Sequence, residues 1–437
     1  MSIATQIQRL QQAKADIKTS IENKGVVVPS WSLLSGYSAL IDQIPQGSSE
    51  APFNDVNFYD YDGTRLYSYT AQEFAQLQEM PANPTHEGLT SQGWNWSLAD
   101  AKTYVANYGI LDIGQLYVTN DNKTRLYVSL QDGALKPYIS LAVNGTATIE
   151  WGDGTSDTIT GTSTSTNIHT QHTYASAGDY VVKISSESTI NLATDGMDAR
   201  NTGSHLFWAY SSTNEANRVY GNAVKKIELG NNIPCVEGGF AHLIGMETIT
   251  IPSSLEINKS TAFGGNLMLK FLVIASLTAG SATFKQCYAL KGIAFNKNAN
   301  IGANLFSNDF NLTRVVLPTG TTSVNGTFSA CYNLREITIP NTITAIQNFL
   351  PNCYSIAKVK LPSSITTINT YTFANCYGCK EYDFTSLSAV PTLNNADAFN
   401  NIASDCKIVV PDSLYNDWIA ANNWSNYASY IIKASEY

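Results

Sequence analysis

Apolar positions along this chain change period several times, and each change marks a different predicted element. Ile3, Ile7, Leu10, Lys14, Ile17 and Ile21 recur at alternating steps of four and three, so five of the six seam positions are apolar. That spacing predicts an α-helical coiled coil over residues 1–24. Isoleucine at both kinds of seam position favours three or four strands, with Lys14 fixing the register. An amphipathic helix packed on its own chain fits the same spacing. "SWSLLSGYSALIDQIP" then reads as a second short helix, with Leu33, Leu34, Tyr37, Leu40 and Ile41 on one side. "QGSSEAP" forms a linker, so residues 1–50 make a helical oligomerisation or anchoring segment.

From Val56 the period becomes two. "VNFYDYDGTRLYSYT" predicts a hairpin about a Tyr-Asp-Gly turn, and "TAQEFAQL" and "SLADAKTYVANYG" predict helices capped by Thr70 and Ser97. Residues 51–114 are therefore expected to form a small α/β adaptor module. Its loop "PANPTHEGLTSQGWNWS" holds Trp94 and Trp96, which either bind a partner or plug the module's own core. Over residues 115–195, "RLYVSL", "YISLAV", "ATIEWGDGTSDTITG" and "HTQHTYASAGDYVVKISS" alternate in short, turn-rich strands, the pattern of a β-sandwich. Residues 196–223 are expected to be a linker or the N-terminal cap of a repeat region that begins at Val224.

Beyond that point the chain repeats itself. Units begin at Val224, Met246, Leu269, Leu290, Leu312, Leu334, Ile356 and Cys379, spaced 21 to 23 residues apart. A fixed period in this range predicts a solenoid over 224–400. Each unit opens like Leu334, Ile337, Ile339, Pro340: a short strand ended by proline, whose ring removes a ladder donor. Ile343 and Ile346 turn the chain inward, and a phenylalanine followed three residues on by cysteine or asparagine closes the coil, as in Phe263 with Asn266, Phe284 with Cys287, Phe328 with Cys331 and Phe373 with Cys376. The proline is missing at Ala275 and Asn296, so the middle coils are expected to curve differently. Residues 401–437 predict a cap, a strand and then an amphipathic helix with Leu414, Trp418 and Trp424 over the last coil.

Alternation within each strand sends its central residue outward. By that count Phe271, Val273, Ala294 and Val316 form an exposed apolar strip rimmed by Lys270, Lys291, Arg314 and Arg335, the anatomy of a recognition patch. The alternative is that another part of the chain, or another copy, covers it.

Charge and chemistry narrow the function. With 26 basic against 35 acidic residues and net charge −9, the chain carries no footprint for nucleic acid or anionic membrane. Apolar runs such as "FLVIA" are far shorter than the roughly 20 residues a membrane helix needs, so no membrane insertion is expected. The N-terminal segment has no continuous apolar core of a signal peptide, so no export is expected. Seven cysteines, mostly at one recurring position, suggest reduced, packed thiols. His169 and His172 lack a cysteine or carboxylate nearby in sequence, and Cys376 and Cys379 in "CYGCK" sit at core positions, so no metal or cofactor is expected. Gly-x-Ser-x-Gly, His-Glu-x-x-His and phosphate-loop motifs are missing, and the chain reads as non-enzymatic.

Three stretches resemble known families. "IEWGDGT" with "HTYASAGDYVVKI" resembles the PKD-like immunoglobulin-type domain, which implies a strand end and tight turn at Trp151, Gly152, Asp153 and Gly154, and a second corner at Tyr174, Gly178 and Tyr180. The repeats resemble the BspA-type, or Treponema-type, leucine-rich repeat of surface antigens. Residues 51–114 resemble a module of phage and prophage tail-associated proteins. The expected fold class is therefore multidomain: an N-terminal coiled coil, a small α/β module, an immunoglobulin-like β-sandwich, and a leucine-rich-repeat solenoid with its C-terminal cap.

Strung end to end, these modules imply a phage tail fibre or receptor-binding protein. Such a protein would be a homotrimer made in the host cytoplasm and carried on the virion. Its N-terminus would join other tail or baseplate proteins, and its repeats would touch a host cell-surface glycan or protein. The alternative is a bacterial surface adhesin built from the same modules and located at the cell surface. A glycan-degrading enzyme would need a groove with paired acids. The outward strand centres Glu228, Thr250, Val273, Ala294, Val316, Thr338 and Lys360 supply few.

Overall fold

The computed structural model describes Lys14 and residues 55–192, 206–208, 214–233, 240–258, 260–278 and 281–437. The seam residues Ile3, Ile7, Leu10, Ile17 and Ile21, and with them the coiled-coil reading, lie outside the described residues. Asn54–Tyr437 forms one compact unit.

The α/β module is built as its period predicts. Strands β1 (Val56–Tyr59) and β2 (Arg65–Tyr69) form the hairpin, helix α1 (Ala71–Gln76) comes next, and β3 (Leu89–Trp94), helix α2 (Leu98–Tyr108) and β4 (Leu111–Thr119) complete a sheet of order β2-β1-β4-β3. Thr70 caps α1 through a reciprocal pair with Glu73, and Ser97 accepts from the Asp100 amide at the start of α2. Every residue of β4 is buried. A strand covered on both faces needs a second layer beyond α1 and α2.

Strands β5 (Thr124–Leu130), β6 (Tyr138–Glu150), β7 (Ser156–Gln171), β8 (Gly178–Ser186), β9 (Ile190–Leu192) and β10 (Phe207–Trp208) form the next region. β6 pairs with β7 along its length. Its other edge is shared between β9 and β10 at one end and β8 at the other. The expected separate immunoglobulin-like sandwich is not what the pairing shows, because β5 pairs with β8 on one side and, antiparallel, with β11 (Val224–Glu228), the first strand of the repeats, on the other. This region is thus hydrogen-bonded onto the first coil, and both share one core. Within it, Trp151 is fully buried, its Nε1–H donates to Asp157 (2.8 Å), and the Tyr174 hydroxyl donates to the Trp151 carbonyl (2.8 Å). Helix α3 (Asn214–Ala223) leads straight into β11.

From β11 the chain winds as a solenoid. One side carries the short parallel strands at Thr248–Thr250, Phe271–Val273, Gly292–Ala294, Arg314–Val316, Glu336–Thr338, Lys358–Lys360 and Glu381–Asp383. A second parallel sheet joins Val324–Asn325, Ala345–Gln347, Thr367–Ile368 and Thr392–Leu393. Inside, Phe240, Phe263, Phe284, Phe306 and Phe328 stack with centroids 5.3 to 5.7 Å apart. The cysteines beside this ladder have a uniform task. The Cys287 thiol donates to the Phe263 carbonyl, Cys331 to Phe306, Cys353 to Phe328 and Cys376 to Leu350, all at 3.1 to 3.2 Å. Asn266 does the same with its amide, to the Phe240 carbonyl (2.7 Å). The position therefore calls for a small side chain that can donate to the coil before it, since a buried carbonyl left unpaired is costly.

At the end, the strand Lys407–Val410, helix α4 (Tyr415–Ala420) and the strand Ile431–Lys433 close the last coil, with Trp418 and Trp424 fully buried against Phe384. The strand and helix stand where the sequence places them, but only Trp418 lies on α4; Leu414 and Trp424 lie in short 3-10 turns on either side of it.

Candidate functional site

The sequence points to the strand side of the solenoid, and there the structure reverses the expectation. Phe271 is 6% exposed, Val273 2%, Ala294 0% and Val316 4%, and Arg314, expected on the rim, is 4% exposed. The α/β module lies on top of them. Tyr59 packs on Phe271 with centroids 4.8 Å apart, and Val316 belongs to the module's own core. Gly63 and Gly114 admit the approach: a Cβ on Gly63 would sit 2.7 Å from the Phe271 Cβ, and one on Gly114 2.5 Å from a Val273 methyl. Among the outward strand centres from Glu228 to Lys360, only Lys360 stays exposed. Lys270, Lys291 and Arg335 are exposed as expected, with Lys270 paired to Glu247.

Polar contacts fix the docking. Asn95 donates to the carbonyls of Ile274 (3.3 Å) and Ala294 (3.0 Å), Trp96 Nε1–H to Phe295 (2.6 Å), and the Tyr104 hydroxyl to Leu317 (2.6 Å). Asn296, standing where the repeat usually has proline, donates back to the Asn95 carbonyl (2.9 Å). Trp96 is therefore an anchor on the solenoid, while Trp94 closes the module's core and donates to Pro81 (2.9 Å). Arg314 makes a buried ion pair with Asp112 (3.2 Å) and donates to the Asp55 carbonyl. Burial nonetheless pushes the Asp112 carboxyl above its usual range, with Arg314 pulling the other way.

A second candidate lies at the turns that precede the strands. Tyr288, Phe310, Tyr332, Tyr354 and Tyr377 each come directly after the ladder position of their coil and stack on one another. Their centroids are 4.8, 4.8, 4.9 and 5.6 Å apart, and the first three pairs are within 13° of parallel. The spacing is that of neighbouring strands, about 4.8 Å, so the coil rise itself sets the rings at stacking distance. Tyr332 is 37% exposed, Tyr354 41% and Tyr377 55%. Partial burial, and after it the neighbouring Tyr332 and Tyr377, raises the Tyr354 hydroxyl above its ordinary value. Asn311 and Asn333, hydrogen-bonded to one another, flank the row.

With their faces covered by each other, these rings offer their edges, and the tyrosines their hydroxyls, at a rise of 4.8 to 5.6 Å. A ligand can therefore meet an apolar edge at each step along the solenoid and a hydroxyl at every step but Phe310. Exposed aromatics are seldom aligned this way without a use. Nothing in the strand count points to them, yet the signal is in the sequence: "QCYAL", "NDFNL", "ACYNL", "NCYSI" and "NCYGC" place an aromatic beside the buried position once per coil.

Among the described residues no group of three or more His, Cys, Asp or Glu could hold a metal ion, and no helix is long and apolar enough to cross a membrane. His172 instead pairs with Asp153 (2.7 Å) and stacks on Trp151, and His169 contacts Ser140 (2.8 Å).

The BspA type leucine rich repeat region matches residues 215–326 and 299–416, in six copies. No curated protein matches the sequence. Among solved structures, a leucine-rich repeat protein from Bacteroides ovatus is 18% identical over 42% of this chain and 48% of its own, with a TM-score of 0.36. A leucine rich cell surface protein from Faecalibacterium prausnitzii is 20% identical over 45% and 63%, with a TM-score of 0.28. The pneumococcal vaccine antigen PcpA is 14% identical over 48% and 66%, with a TM-score of 0.27. The chain thus spans between about half and just under two thirds of these proteins. Residues 215–416 thus match the BspA type leucine rich repeat region.

Proposed function

We propose that this protein is a non-enzymatic recognition protein of the adhesin kind, displayed at a cell surface, which engages a surface glycan or protein through the aromatic row Tyr288, Phe310, Tyr332, Tyr354 and Tyr377. The observation that carries this reading is the row itself: stacked rings, exposed over several coils, on a repeat region of surface-antigen type. A tail fibre calls for modules strung end to end, whereas here the α/β module folds back on the repeats and the β5–β10 region is paired to the first coil. The apolar strip around Phe271 is occupied by the chain itself and offers no site.

The test is adsorption of the full-length protein to intact cells and to immobilised cell-envelope fractions, wild type against Tyr332→Ser with Tyr354→Ser. The double variant is expected to lose about tenfold or more in affinity, as for central aromatic contacts, with its melting temperature changed little. Undiminished adsorption by a folded double variant would remove the row from the binding surface.

A further inference from the structure

The six described cysteines are free and buried, and five of them lie inside or at the end of the solenoid's last coils. Cys331, Cys353 and Cys376 each direct their thiol at a carbonyl of the preceding coil. Cys379 and Cys406 differ. Each turns its thiol to a carbonyl near itself in sequence, Cys379 to Glu381 (3.4 Å) and Cys406 to Lys407 (3.8 Å), and not to the coil before. Cys379 occupies the leading core position of the last repeat. Cys406 fills the same position one coil later, with a one-residue slip, because Glu381 pairs with Lys407 in parallel register. The Lys407 amide donates to the Lys380 carbonyl (2.9 Å), and outside them the Lys380 ammonium and Asp405 close the same junction at 2.7 Å.

Backbone spacing then decides what the pair can do. Both cysteines precede their strands and are turned into the core beside the Lys407–Lys380 backbone bond, and with neighbouring chains about 4.8 Å apart and about 3.3 Å of rise per residue their Cα atoms lie about 6 Å apart. Disulfides favour that separation. The neighbouring Cys-x-x-Cys spacing of Cys376 and Cys379 competes poorly, since Cys376 is turned to Leu350 in the coil before.

We propose that Cys379 and Cys406 are a disulfide site, closed by exchange with a small-molecule disulfide of the oxidised-glutathione class, which staples the C-terminal cap to the last repeat. The Cys379 thiolate attacks one sulfur of the small disulfide and expels the first small thiol. Cys406 then loses its proton and attacks the Cys379 sulfur, expelling the second. Two protein thiols are oxidised to one S–S bond, and the small disulfide is reduced to two thiols, their sulfurs taking up the two protons.

Both side chains are fully buried in the closed fold, so the exchange belongs to folding, before the strand Lys407–Val410 is covered by α4. The bond would close a loop running from residue 379 to residue 406, tying down the strand on which the whole cap rests.

The test is refolding of the full-length chain from denaturant in a glutathione redox buffer, then digestion without reduction and mass mapping of the cross-linked peptides. The expected product is two hydrogens lighter, with a single Cys379–Cys406 link, and melts a few degrees higher than the reduced form. Cys406→Ser should yield no link, and Cys376→Ala should leave it unchanged. A dominant Cys376–Cys379 link, thiols that all stay titratable across the redox range, or a linked form that melts lower than the reduced one would each overturn the proposal. If a variant fails to fold, the mapping of the wild type alone still decides.

Discussion

The two long sides of the solenoid are made from the same coils and have opposite fates. On the strand side, the apolar centres Phe271, Val273, Ala294 and Val316 are sealed under the α/β module. On the turn side, aromatic residues one coil apart are left in water as a continuous stack. What separates them is regularity. The strand side departs from its repeat where it is covered: proline gives way to Ala275 and Asn296 at the coils where Asn95 and Trp96 insert, and Asn296 is itself a docking contact. The turn side keeps its aromatic through five consecutive coils. In a repeat protein, a break in the consensus beside an apolar residue points to a partner from the same chain, and an unbroken exposed aromatic points outward.

The contrast is most severely tested at Trp96. Trp96→Ala removes a buried side chain and orphans the Phe295 carbonyl, and is expected to cost about 3–5 kcal/mol in urea unfolding. A loss below ~1 kcal/mol would mean the module is not held by this anchor. Gly114→Val forces a branched side chain into the Val273 contact and should cost about 1–3 kcal/mol. Hydrogen exchange at Phe271–Val273 should then quicken while exchange at Lys358–Lys360 does not change.

Asp309 tests the interior common to both sides. It stands at the ladder position where other coils have cysteine or asparagine, accepts from the Cys287 amide (2.7 Å), and leaves one carboxylate oxygen buried without a partner. Burial pushes its carboxyl well above the usual range, more than the Cys287 and Gln286 amides offset. The folded state therefore holds a proton that the unfolded chain releases. The contribution of this group to stability is complete below the unfolded value, near pH 4, and is lost as pH rises through the folded one. Asp309→Cys restores a neutral donor and should gain ~1–2 kcal/mol at pH 8, shrinking toward pH 4. Equal gains at both pH values would show that the carboxyl is ionised in the fold.

On the turn side, Tyr332→Ser unstacks both Phe310 and Tyr354 and should cost about 1–2 kcal/mol, two partly exposed aromatic pairs, read as a small shift in thermal melting. The weakest effect is expected at Asp153. Burial raises its carboxyl, but hydrogen bonds from Thr155 and His172 outweigh that and bring it down to about 2. Its contribution is present above about pH 4 and lost as pH falls through about 2. Asp153→Asn should flatten that part of the acid-unfolding curve, and an unchanged curve would exclude the turn as its source.

Much of the fold is legible in the sequence because local chemistry decides it. The caps Thr70 and Ser97, the coil period, the cysteine ladder and the tryptophan-bearing C-terminal cap all rest on contacts within a turn or one coil. What fails to show is long-range. Residues Thr124–Leu130 read as one strand of a self-contained sandwich, yet their edge is completed by Val224–Glu228. Alternation turns Phe271, Val273, Ala294 and Val316 away from their own coils, yet they are buried, and it leaves open whether anything covers them, because alternation says which way a side chain points and nothing of what meets it. The aromatic row escapes for another reason: strand counting tracks the residues that build the core, and these sit one position beyond it.

The docked module also sets a timetable. Asn95 and its acceptor Ala294 are 199 residues apart in sequence. Chains elongate at about 5–20 residues per second in the cell, so the module waits on the order of 10–40 s for the surface it will cover. During that interval its apolar underside and, as they emerge, the strand centres of the middle coils are bare at once on one nascent chain. Yield from the ribosome should therefore depend on translation speed through residues 271–316, and slowing synthesis there should favour aggregation or chaperone capture more than an equal pause after residue 330.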